Sequence, residues 1–117
     1  MNTILVVDDD ERIRRIYETF LTRRGYMVLT AKDAVTAREI LKHKMIDLML
    51  LDINMGEVGG EILHEITTMF HKDVNIIVSS VFPLDDQEKI IPGAVDYYDK
   101  SQGLRVLLEK VNNVAGQ

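Results

Sequence analysis

The chain has no cysteine. A disulfide framework and a thiolate zinc site are thereby excluded. It also lacks a surplus of positive charge: 14 lysines and arginines stand against 19 aspartates and glutamates, a formal net charge of -5 at pH 7. Binding to a phosphate backbone or an anionic membrane needs a basic face. Neither nucleic acid nor a membrane is therefore expected as the main partner of this segment. No apolar run is long enough to span a bilayer, and the first, Ile4 to Val7, is too short for a signal peptide. A soluble, cytoplasmic protein is expected. Repeats, low-complexity tracts and linkers are missing as well, so residues 1–117 read as one domain. A chain of that length buries about two thirds of its unfolded surface, enough for a real core.

What is present is an alternation of short β-rich runs with helical periodicity. Ile4–Val7, Met27–Thr30, Ile46–Leu51, Asn75–Ser80 and Ala94–Tyr98 read as strands. Between and after them come five helical patterns. The first carries Ile13, Ile16, Tyr17, Phe20 and Leu21 on one face and is stopped by Gly25. The second starts at Asp33 as a cap and carries Ala37, Ile40 and Leu41. The third places Ile62, Leu63, Ile66, Met69 and Phe70 inward. The fourth, "LDDQEKII", is short and ends at Pro92 and Gly93. The last aligns Leu104, Leu107, Leu108, Val111 and Val114. Continuous apolar strands alternating with helices predict an α/β fold, a parallel sheet covered on both faces. Such sheets take their ligands outside the carboxyl ends of the strands.

Those ends carry the chemistry. The first strand ends in Asp8, Asp9 and Asp10, the third in Asp52, the fourth in Ser79 and Ser80, the fifth in Asp99 and Lys100. The second contributes nothing ionic. Acids from two strands, a hydroxyl and an ammonium thus converge on one edge. Crowded carboxylates raise one another's cost of ionisation and invite a divalent cation. Mg²⁺ suits them, since it takes one or two carboxylates and leaves positions for water and a phosphoryl oxygen. A carboxylate can itself accept a phosphoryl group. Asp52, alone on the central strand, is the best-placed acceptor. Lys100 and Ser79 supply charge and a hydrogen bond to the remaining phosphoryl oxygens.

In order and spacing, "ILVVDDDE", "LMLLDINM", "IIVSS" and "GAVDYYDKS" resemble the motifs of response-regulator receiver domains, the phosphoacceptor half of two-component signalling. The resemblance covers essentially the whole chain. It implies a flavodoxin-like (βα)5 sandwich with strand order 2-1-3-4-5. It implies that Asp52 takes a phosphoryl group from a sensor histidine kinase or phosphotransfer protein. Mg²⁺ would be bound directly by Asp9, through water by Asp8, and by Asp52 and the Asn54 backbone carbonyl. Ser79 would be the switch hydroxyl, Tyr97 the switch aromatic and Lys100 the phosphate-binding lysine. The face of the fourth helix, fifth strand and fifth helix would change for a downstream target or an output domain. The chain departs from the family at Gly56, where proline is usual, at Gly59, where aspartate is common, and at Ser101, again a usual proline. Together with Pro92, these departures bear on switching more than on the acceptor.

Plainer readings stand beside these. The acids at 8 to 10 can serve a helix N-terminus, with Asp10 as its cap. Tyr97 can be core. His43, His64 and His71 read as surface residues, and the six methionines as core filler. The competing functions are an adaptor that has lost phosphorylation, a small aspartyl-phosphate phosphatase and a nucleotide or flavin binder. The phosphatase lacks its second acid, since Asn54 follows Asp52 and Ile53. The nucleotide binder lacks its glycines, since the first turn is "DDDER". No turnover enzyme is expected.

Overall fold

The computed structural model describes residues 2–55 and 59–115. Five strands and five helices alternate: β1 (Thr3–Val7), α1 (Glu11–Thr22), β2 (Met27–Ala31), α2 (Ala34–His43), β3 (Leu48–Leu51), α3 (Gly60–Phe70), β4 (Asn75–Ser80), α4 (Leu84–Ile90), β5 (Asp96–Asp99) and α5 (Leu104–Ala115). The strands form one parallel sheet in the order β2-β1-β3-β4-β5. The chain reverses its winding direction between β1 and β3, so a crevice opens there at the carboxyl edge.

Side chains alternate across each strand and build two cores. Leu5, Val7, Met49, Leu51 and Val78 face α2 and α3, meeting Ala37, Leu41 and Leu63. Ile4, Val6, Leu48, Leu50 and Ile77 face α1 and α5, meeting Tyr17, Leu21, Leu107 and Val111. Each such buried aliphatic side chain stabilises the fold by about 2 kcal/mol. Two helices start as the sequence predicts. Asp10 Oδ1 accepts from the Arg12 amide at 2.9 Å, and Asp33 Oδ1 from the Thr36 amide at 2.8 Å. Gly25 closes the turn after α1 with φ +94°, a conformation that a side chain would strain.

Several expectations need correction. On α1, Tyr17 and Leu21 take the sheet-facing positions one turn apart, which leaves Ile16 exposed. On α3 the inward line is Gly60, Leu63 and Thr67, while Ile62, Met69 and Phe70 are exposed. The reason is a close backbone approach: a Cβ on Gly60 would lie 2.3 Å from the Asp52 carbonyl oxygen. That contact sets the rotation of the helix. Met49 and Met55 are core, but Met27, Met45 and Met69 are exposed. β3 starts at Leu48, and Asp47 just before it is tied to β1, its amide donating to the Thr3 carbonyl at 2.9 Å and its carboxylate accepting the Thr3 amide at 2.8 Å. β5 starts at Asp96, because the Ala94 amide donates to the Tyr97 hydroxyl instead. His43 is exposed beside Glu39, whereas His64 and His71 are half-buried.

Candidate functional site

Asp8 and Asp52 leave the sheet on either side of the β1–β3 crevice. Their backbones are already fixed by the ladder: the Asp8 amide donates to Ala31 at 3.1 Å and the Asp52 amide to Val7 at 3.0 Å. Both side chains are buried, and Asp9 is exposed beside them. One carboxylate oxygen from each of Asp8, Asp9 and Asp52 lies within 4.8 Å of the other two. The sequence expectation that these three converge therefore holds.

From the far side of the sheet Lys100 reaches in. Its Nζ lies 2.6 Å from Asp8 Oδ2 and 3.7 Å from Asp52 Oδ1. Lys100 begins a 3-10 turn, Lys100–Gln102, that Asp99 caps by accepting from the Ser101 amide at 2.9 Å. Asp8 is oriented further by the Asp10 amide at 2.9 Å, while the Arg14 guanidinium donates to the Asp8 carbonyl at 2.7 Å.

The electrostatics follow from that crowding. Burial pushes the Asp52 carboxyl up to about 6; the Lys100 ammonium pulls it down, Asp8 and Asp9 push it up, and the Asn54 backbone amide lowers it. A buried acid held this way favours a neutralising cation. The oxygen-only donor set fits a hard ion such as Mg²⁺. Ser79, at the end of β4, is buried, and its Oγ has no hydrogen-bond partner among the described residues. Such an orphan beside a charged cluster suits an anionic ligand oxygen.

Tyr97 lies further from the acids. It is half-buried against the core on the α3 side, and its hydroxyl donates to the Ile91 carbonyl at 2.6 Å. Asn54 is exposed directly after Asp52 and Ile53. Gly56 lies outside the described residues. All described peptide bonds are trans, the Lys100–Ser101 bond included.

Two residues near the site escaped the sequence reading. Tyr17 is buried on α1; burial raises its hydroxyl pKa, and the Asp8 and Asp52 charges raise it further. The helical pattern had marked it as core alone. Gln87 is buried on the short α4 and bonds backbone beside both Ser79 and Lys100. Its signal was legible: it sits between Leu84 and Ile91 at helical spacing, a polar residue on the inward face.

A family profile described as "Response regulator receiver domain" matches residues 4–112. Among curated proteins the chain is 32% identical over 112 residues to protein PetR of Rhodobacter capsulatus, covering 95% of this chain and 47% of that protein. It is 31% identical to regulatory protein VirG of Agrobacterium fabrum, covering 92% and 44%. The chain thus spans about half the length of the curated relatives it matches. Among solved structures, the response regulator protein TrrA of Thermotoga maritima in complex with Mg(2+)-BeF is 30% identical, with a TM-score of 0.89, covering 97% of this chain and 99% of that one. A CheY-like receiver domain protein of Methanospirillum hungatei is 26% identical, also with a TM-score of 0.89, covering 97% and 92%.

Proposed function

The chain belongs to the response-regulator receiver domains, and from that premise we propose that Asp52 accepts a phosphoryl group in a Mg²⁺-dependent transfer from a sensor histidine kinase or phosphotransfer protein. The observation that carries this reading is the convergence of Asp8, Asp9 and Asp52 at the β1–β3 crevice with Lys100 between two of them. Asp8, Asp9, Asp52 and the Asn54 carbonyl would hold the metal. Bound Mg²⁺ supplies the positive charge that lets a phosphoryl oxygen approach three carboxylates.

The remaining work falls to the chain's own groups. An Asp52 carboxylate oxygen bonds to phosphorus as the bond to the donor nitrogen breaks, and that nitrogen leaves with its electron pair. Lys100 exchanges its contact with Asp52 for a phosphoryl oxygen. Ser79 donates its unused hydrogen bond to another. Ser79 and the loop behind it then move towards the phosphoryl group. Tyr97 leaves the Ile91 carbonyl, and the α4–β5–α5 face changes for its target. Residues 1–117 act as one phosphoacceptor unit, and water returns the acyl phosphate to carboxylate at the same site, without substrate turnover. No described helix is long and apolar enough to cross a membrane, consistent with the cytoplasmic setting proposed for this unit.

The test is incubation with phosphoramidate and Mg²⁺, read by intact mass. One phosphoryl group is expected on the wild-type chain and none on Asp52→Asn. Equal labelling of the variant would remove Asp52 from the mechanism.

A further inference from the structure

Gln87 is fully buried on α4. Its Nε2 donates to the Phe82 carbonyl at 2.7 Å, the Tyr98 carbonyl at 2.9 Å and the Ser80 carbonyl at 3.4 Å. Three acceptors fix the amide's orientation, because a carbonyl cannot donate to Oε1. That Oε1 has no partner among the described residues. A half-satisfied buried amide is a poor way to fill a core: a thioether or isobutyl group would pack there without an orphaned oxygen. The residue's value therefore lies in what its N–H groups hold.

What they hold is specific. Ser80 and Phe82 belong to the segment directly after Ser79, and Tyr98 lies two residues before Lys100. α4 has no side-chain cap at its start, where Pro83 stands. A weaker tie joins the same loop, the Phe82 amide to Ser80 Oγ at 3.2 Å. Gln87 alone among the described side chains of α4 bridges the β4 exit to the β5 exit. We propose that Gln87 is a positioning residue for phosphoryl transfer: the ladder pairs Ser79 with Tyr98 and Ser80 with Asp99, and one buried amide extends that tie to the loop after β4 and to the approach of Lys100, holding in place the two groups that meet the phosphoryl oxygens from the β4–β5 side. The proposal rests on Asp52 being the acceptor. The metal carboxylates come from β1 and β3, which Gln87 does not touch. Loss of the amide is therefore expected to slow transfer and leave Mg²⁺ binding intact.

Gln87→Met keeps chain length and removes the donors. With saturating Mg²⁺ and phosphoramidate, its labelling rate is expected to fall at least about tenfold, as misplaced catalytic groups do. Its Mg²⁺ dissociation constant is expected to stay within about twofold of wild type, the carboxylate ligands being unaltered. Leu41→Ala, a core truncation on α2, controls for lost stability and is expected to label at the wild-type rate while folded. Amide exchange followed by mass spectrometry reads the clamp independently of chemistry. Residues 79–83 and 98–100 should exchange faster in Gln87→Met, and 4–8 and 48–52 should not. Unchanged exchange in the first two segments overturns the clamp. Faster exchange with unchanged labelling, an equal slowing in Leu41→Ala, or a parallel loss of Mg²⁺ affinity overturns the positioning role. If the wild-type chain takes no label, the acceptor reading fails, and the positioning role falls with it whatever the exchange shows.

Discussion

The two sides of the sheet's carboxyl edge are built by different means. On the β1–β3 side, Asp8 and Asp52 project from backbone that the ladder itself fixes, and Gly60 packs against the Asp52 carbonyl. On the β4–β5 side the ladder runs as far as Ser80 and Asp99, and the segments that follow are tied by side chains: Gln87 to three carbonyls, the Tyr97 hydroxyl to Ile91, the Tyr98 hydroxyl to the Gly103 carbonyl at 2.8 Å. Ladder bonds break only with the sheet, whereas a side-chain bond can exchange partners at modest cost. The first side suits a fixed acceptor and metal site. The second suits a response, since a new anion can recruit Ser79 and Lys100 and disturb the few bonds that hold α4.

That contrast can be attacked from either side. The largest effect expected is from Lys100→Ala. It leaves the buried Asp8 carboxylate without its cation, and without Mg²⁺ should cost about 3 kcal/mol in denaturant unfolding. A loss near zero would show that Lys100 is not what makes the acid cluster tolerable. Next, and of opposite sign, comes Asp52→Asn. The Asp52 carboxyl is raised to about 6 in the fold, so its ionisation opposes folding by about 3 kcal/mol as an upper figure. The penalty is absent below about pH 4, grows as pH rises towards 6, and is complete above that. Asp52→Asn should therefore unfold at higher denaturant than wild type at neutral pH and lose that advantage in acid. A variant less stable at neutral pH would mean that the carboxylate is a structural asset. The smallest effect is from Mg²⁺ itself: at ten times its dissociation constant it should stabilise wild type by about 1.4 kcal/mol. Asp9→Asn should blunt that gain, and an identical gain would place the ion elsewhere.

The strand tips were legible in the sequence because a parallel sheet brings all carboxyl ends to one edge. Naming the residues that end each apolar run was then enough to assemble Asp8, Asp9, Asp52, Ser79 and Lys100. Helix faces were less legible. Ile16, Met69 and Phe70 satisfy helical periodicity yet lie exposed, because short helices on a sheet bury a narrow stripe whose rotation is set by contacts such as Gly60 on Asp52. Gln87 was missed for a related reason. Its inward spacing between Leu84 and Ile91 was readable, but the carbonyls of two separate strand exits that it bonds were not. Tyr97 was read as a switch aromatic or as core, and the structure packs it half-buried against the core. Its bond to Ile91 depends on a loop geometry that strand and helix patterns do not encode.

The most direct test of the central claim is to locate the phosphoryl group. After reaction with phosphoramidate and Mg²⁺, the label should be sensitive to hydroxylamine, as an acyl phosphate is, and peptide mapping should place it on Asp52. A stable label on a serine or tyrosine hydroxyl, or one on His64 or His71, would contradict the account.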